Sequence, residues 1–248
     1  MRPSSSPSDP FGALFARGAA ATQVSDEAWM QALLDAEAGL ARAQAAIGMI
    51  PAGHADAITA ACDLSTVDAA AIAAGTAAAG NPVLPLVHAL RAAVPPDVAD
   101  SVHKGATSQD ILDTAAMLVA RRALDPLLVD LAAAAGAAGA LAVRYRDTAM
   151  AGRTLLQHAV PVTFGLEAAG WLAALATVAG RLTELRDTRL AVQLGGAAGT
   201  LASYGDAGLE LVTRYAAEVG LAAPELPWHT DRTRIGELAG ALGTAAGR

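Results

Sequence analysis

The chain holds one cysteine and one lysine among 248 residues, only 4% aromatic side chains, and no more than 17% charged residues. A lone thiol, Cys62, excludes an internal disulfide framework and fits a reducing compartment. A formal net charge of −7 excludes the basic surface of a nucleic-acid binder. Disorder requires low hydrophobicity and high charge, whereas 54% of this chain is hydrophobic. The 24 glycines follow no three-residue period, which excludes a collagen-like chain. Five histidines, at 54, 88, 103, 158 and 229, lie far apart, and with one cysteine they make no metal-ligand spacing. P-loop, Rossmann and Gly-x-Ser-x-Gly fingerprints are missing. The N-terminus, Met1-Arg2-Pro3-Ser4-Ser5-Ser6-Pro7, lacks an apolar h-region and does not read as a secretory signal. Mean hydropathy is +0.38, yet the uncharged stretch 69–90 is broken by Gly75, Gly80, Asn81, Pro82 and Pro85. Another, 168–180, is too short to span a bilayer. These absences predict a cytoplasmic protein with neither a membrane nor a nucleic-acid partner.

What is present is alanine, about a quarter of the chain and the strongest helix former. So few large side chains make a thin core for a monomer. A long helix is predicted over 25–47: Ser25 caps it, Asp26 and Glu27 suit its positive first turn, and Gly48 with Pro51 ends it. Trp29, Leu33, Leu40 and Ile47 share one face, with Ala36 and Ala43 between them. Shorter helices are expected near 54–62 and 66–78. Asn81-Pro82 reads as a cap and a first-position proline, opening a helix to about Ala93 that Pro95-Pro96 ends. Thr107-x-x-Asp110 resembles a capping box and starts a helix reaching about Tyr145, with a kink expected at Pro126. A second long helical segment is expected over 155–189, with Pro161 near its start. Helices near 208–219 and 231–242 follow, and no strand-length alternation stands out. The predicted fold class is all-α, a small helical N-terminal domain followed by a long-helix bundle. Residues 1–10 read as a disordered tail, 11–106 as the N-terminal domain and 107–248 as the central bundle.

Three polar segments interrupt the apolar helices. Residues 102–110 place hydroxyls and free backbone N–H groups at a helix start, a ready anion site with His103 and Lys104 beside it. The same residues also suit an ordinary capped loop. Residues 152–161 collect Arg153, Thr154, Gln157 and His158 ahead of an apolar helix, where a lone histidine also suits a purely structural role. Residues 228–234, with His229, Arg232 and Arg234, fit a functional segment or a capped, solvated helix start.

In order and spacing, these segments resemble the active-site segments of the fumarase/aspartase superfamily. Thr-Ser-x-Asp at 107–110 and Gly-Arg-Thr at 152–154 carry the likeness. Within the superfamily the chain is most similar to the branch of 3-carboxy-cis,cis-muconate cycloisomerases. The stretches 80–87, 103–110, 156–165 and 193–201 support this, together with Trp228-His229-Thr230. The resemblance implies a protein that is a homotetramer when full length, without metal or organic cofactor. It implies a small tricarboxylate substrate, bound where subunits meet. Thr107, Ser108, Arg153 and Gln157 would bind carboxylates, with Asn81, Lys104, Gln109, Thr154 and Arg232 completing the substrate contacts. His158 would take a proton-transfer or charge-stabilising role, and His103 a supporting one. Leu155 stands where lyases that cleave adenylosuccinate or argininosuccinate carry histidine after Gly-Arg-Thr, which weighs against those alternatives. Asp231 and Thr233 depart from the branch's His-Thr-Gln-Arg-Asp-Arg pattern. The resemblance further implies truncation before the superfamily's third signature, a Gly-Ser-Ser…Met-Pro-x-Lys loop that supplies a serine base. On that expectation the 248-residue chain alone is inactive, and a non-catalytic helical fragment is the alternative from a different class.

Overall fold

Helix starts follow the caps written in the sequence. The computed structural model describes residues 18–247; the tail expected at 1–10 lies outside them. After a single helical turn at Ala19–Thr22, helix α1 spans Asp26–Ala46, and the Ser25 hydroxyl accepts from the Ala28 N–H at 3.1 Å. Helices α2 (Ala52–Ala61), α3 (Ala69–Ala79) and α4 (Val83–Ala93) follow. The proline expected at the first position of α4 is instead its N-cap, while Asn81 Oδ1 accepts from the Val83 N–H at 2.9 Å. Helix α5 (Ser108–Arg144) continues through Pro126 as one helix.

The described residues form two compact units, the first reaching to Ala123 and including Thr188–Arg232. Here α1 is central, packed against α2 and against a later helix at Gly208–Val219. Its buried surface is wider than the predicted stripe: Leu33, Ala36, Leu40 and Ala43 are buried, and so are the polar Glu37 and Gln44. Leu34 and Leu40 meet Ile58, Ile72, Leu86 and Tyr215 in one core. Burial pushes the Cys62 thiol up to about 12, with Glu37 and Asp35 adding to the effect, so this cysteine is an inert packing residue.

The second unit comprises Leu124–Asp187 and the chain from Thr233 on, and the start of the helix expected over 155–189 is corrected there. No helix covers 155–163. Residues Ala149–Thr154 (β1) and Gln157–Thr163 (β2) pair antiparallel, and the helix α6 begins only at Phe164 and runs to Glu184. The turn is Leu155-Leu156, with φ of 47° and 61°. Two-residue hairpin turns need positive φ at both positions and therefore favour Asn-Gly, so a leucine pair conceals the hairpin. Pro161 is tolerated because a two-stranded sheet has only edges. The fold is still mostly helical, with this small sheet as the exception. At the start of α6, Phe164 and Gly165 donate to the carbonyls of Thr148 and Tyr145. A Cβ on Gly165 would stand 2.5 Å from the Arg146 Cα, so only glycine allows that approach. Helix α7 is the Gly208–Val219 helix of the first unit, and α8 (Thr233–Ala246) packs on α6. Among the described residues, α5 is long and apolar enough to cross a membrane by length and composition.

Replacing Leu155-Leu156 with Asn-Gly puts residues that tolerate left-handed backbone at both turn positions and is expected to stabilise the chain by about 1–2 kcal/mol. A raised urea midpoint checks this, and an unchanged one would show that the turn carries no strain.

Candidate active site

In the first unit the start of α5 organises the surrounding loops. Asp110, fully buried, accepts four hydrogen bonds: from the N–H groups of Thr107 (3.0 Å), Gly195 (2.9 Å) and Gly196 (2.9 Å), and from Gln193 Nε2 (3.0 Å). Burial pushes its pKa up, and the donors from Gln193, Thr107, Gly196 and Gly195 pull the other way. The Thr107 bond is one arm of the predicted capping box. The other three tie the glycine-rich segment 193–199 to the helix start, so Asp110 is an anchor rather than a ligand-facing carboxylate. One turn on, Thr114 exchanges bonds with the Gln193 backbone, and Gln193 Oε1 accepts from the Trp228 N–H at 2.6 Å. Asp113 holds Arg232 through two bonds of 2.7 and 2.9 Å, and the guanidinium lies 5.4 Å from the centroid of the Trp228 ring. Arg232, expected among the substrate contacts, is thus committed to Asp113, and Asn81 to its helix cap.

Around this frame sits the loop 103–106. His103 has φ +59°, and its Nδ1 lies 2.6 Å from Oε1 of the buried Glu37. Gln44 Nε2 donates to the Lys104 carbonyl at 2.7 Å, and Lys104 Nζ to the Met49 carbonyl at 3.3 Å. Tyr204 lies over Gly105, where a Cβ would come within 2.5 Å of its Cε1. The Tyr204 hydroxyl, Gln44 Oε1 and His229 Nδ1 are buried and unpartnered. The side chains of Thr107, Ser108 and Gln109 are half-buried and have no side-chain partner among the described residues. With the free N–H groups of the first turn of α5, they form an anion-competent surface.

The second group stands on the hairpin of the other unit. Cross-strand pairing sets Arg153 opposite His158 and Thr154 opposite Gln157. Directly opposed residues share a face and neighbours alternate, so the four split into two pairs on opposite faces. All four are exposed, and among the described residues their side chains are unpaired. Leu155 and Leu156 project at the tip, 87% and 103% exposed. No group of three His, Cys, Asp or Glu residues that could hold a metal ion occurs among the described residues.

Residues 11–248 match a family described as lyase. The chain belongs to this lyase family of the fumarase/aspartase superfamily. Among its relatives is a 3-carboxy-cis,cis-muconate cycloisomerase of Bradyrhizobium diazoefficiens, 50% identical, with 90% of this chain and 50% of the relative covered. A nitrosuccinate lyase of Streptomyces davaonensis is 48% identical, with 90% and 51% covered. The crystal structure of the 3-carboxy-cis,cis-muconate lactonizing enzyme from Pseudomonas putida superposes with a TM-score of 0.92 at 43% identity, over 96% of this chain and 55% of that one. The chain spans about half the length of the curated relatives it matches.

Within this chain, sequence reasoning missed Glu37, Gln44 and Gln193. For the first two a signal existed: Leu33, Glu37, Leu40 and Gln44 recur at helical spacing, which sets two polar side chains into an apolar face. For Gln193 no local signal existed, because its partners lie 83 and 35 residues away.

The His103–Glu37 pair also predicts a pH dependence. Burial by itself would lower the His103 pKa, but the hydrogen bond and charge of Glu37, aided by Asp110, outweigh it and hold the group above its ordinary 6.5. A pKa raised in the folded state contributes stability that is complete below the unfolded value and lost as pH rises through the folded value. Urea midpoints are therefore expected to fall as pH rises above about 6.5, and His103→Gln should flatten that slope. A slope unchanged by His103→Gln would assign it to other groups.

Proposed function

We propose that the protein carrying this chain is a 3-carboxy-cis,cis-muconate cycloisomerase. The observation that carries the reading is the 50% identity to a curated cycloisomerase over nine-tenths of the chain. In the proposed reaction a carboxylate oxygen of the substrate adds to an alkene carbon and closes a lactone ring. The adjacent carbon, α to another carboxylate, takes up a proton, and the product is 4-carboxymuconolactone. Charge accumulates on that carboxylate as an aci-dianion before the proton arrives. The site must supply fixed donors there and a positioned acid.

Thr107, Ser108, Arg153 and Gln157 are proposed to bind the carboxylates, His158 to move the proton or stabilise the charge, and His103 to assist. Asn81, Lys104, Gln109, Thr154 and Arg232 complete the proposed contacts; Asn81 and Arg232 would act from their present partners. A chain of net charge −7 repels a tricarboxylate, so local cations such as Lys104 and Arg153 must offset the field. The proposal includes a cytoplasmic homotetramer and a domain division at 106/107. The exposed alanine-rich surface of α5 and the unpaired hairpin side chains support sharing of surfaces between subunits.

Nitrosuccinate is the second substrate to test, given the relative that is 48% identical. A substrate panel decides: loss of the muconate absorbance is the expected result. Turnover of nitrosuccinate or release of fumarate, with the muconate untouched, would overturn the reading.

A further inference from the structure

We infer that Glu37 is a positioning residue for His103: it holds the imidazole with a hydrogen on Nδ1 and leaves Nε2 as the nitrogen that takes up the titrating proton, which the cationic ring donates to a bound anion. The inference deepens the proposed role of the 103–110 segment, and rests on that reading only for what Nε2 meets.

The argument begins with the cost of placing a carboxylate where Glu37 is. It lies in the middle of α1 on an apolar face and is 1% exposed. An isolated charge there is strongly unfavourable unless paired, and a leucine would fill the space without that cost. Among the described residues the carboxylate has one hydrogen-bond partner, His103 Nδ1 at 2.6 Å, within the range of a charge-assisted bond. An ionised carboxylate only accepts, so Nδ1 carries a hydrogen whether the ring is neutral or cationic. Nε2 has no hydrogen-bond partner among the described residues, and the His103 side chain retains 14% exposure.

The backbone points the same way. His103 adopts φ +59°, a conformation that a non-glycine residue holds only when its surroundings impose it. Gly105 beneath Tyr204 and the bond from Gln44 to the Lys104 carbonyl fix the loop from two sides. The charged and titratable groups facing the pair are Asp110, Arg91, Tyr204, Tyr215 and Cys62. Asp110 is already bound by four donors and Arg91 opposes protonation, which leaves Glu37 as the dominant partner of the ring.

Long-range ¹H–¹⁵N correlation spectra of the labelled chain test this, with His103→Gln used to assign the His103 signals. Above the titration midpoint, His103 is expected to show a protonated Nδ1 and a bare Nε2. In Glu37→Gln the midpoint is expected to move to lower pH, and Glu37→Asp to restore part of the shift. A bare Nδ1 in the unaltered chain, or a midpoint unmoved in a folded Glu37→Gln variant, would overturn the inference. Should Glu37→Gln fail to fold, the protonation pattern of the unaltered chain decides alone. None of these readouts needs turnover, so their failure is distinct from failure of the cycloisomerase reading.

Discussion

Asp110→Ala is expected to destabilise the chain by about 3–5 kcal/mol, because a buried carboxylate is removed from partners that stay buried. Three backbone N–H groups and the Gln193 amide lose their acceptor at once, and each unsatisfied buried donor costs about 1–3 kcal/mol. The loss spreads, since Gln193 also accepts from Trp228 and its segment holds Gly195 and Gly196 against α5. Asp110→Asn preserves shape and one acceptor oxygen but turns an amide toward N–H donors, so it should relieve little of the damage. Urea unfolding followed by circular dichroism gives the number. A loss below about 1 kcal/mol would mean that water replaces the carboxylate and that Asp110 is no anchor.

His158→Ala should behave in the opposite way. Its side chain is exposed and unpaired on the hairpin, so stability should change by no more than about 0.5 kcal/mol. In the protein that carries this chain, turnover of the muconate is expected to fall by about 10²–10⁴-fold if His158 delivers the proton. Arg153→Ala, on the same face of the hairpin, is expected to cost about 10²–10³-fold by removing charge stabilisation. Because the two side chains are direct cross-strand neighbours, the double variant should lose less than the product of the single losses. Normal turnover in His158→Ala would remove the proton-transfer assignment and turn attention to His103.

The contrast between Asp110 and His158 marks where local reading works and where it stops. Both lie in motifs visible in the sequence. Nothing along the chain says that Asp110 faces inward onto a loop 85 residues away while His158 faces out. Burial is a property of what packs on a residue. A capping-box carboxylate and a ligand-facing carboxylate look alike until the covering loop is placed. Arg232 illustrates the same limit: a conspicuous cation in a polar segment is bound to Asp113, 119 residues earlier.

What the sequence alone determined is what depends on neighbours within a few positions. Alanine content, the caps at Ser25 and Thr107-x-x-Asp110 and the proline and glycine stops all act within one or two helical turns, and they yielded the helical class and most helix starts. The motif segments were legible for the same reason, being contiguous. Contacts between residues far apart in the chain set the rest. The hairpin at 149–163 was hidden because Leu155 and Leu156 oppose their own backbone preference, and only pairing between β1 and β2 holds them there. The inward faces of Glu37 and Gln193 follow from partners 66 and 83 residues distant. A buried polar group is stable only where its partner arrives. Its role is therefore written in the packing of the chain and not in its local sequence.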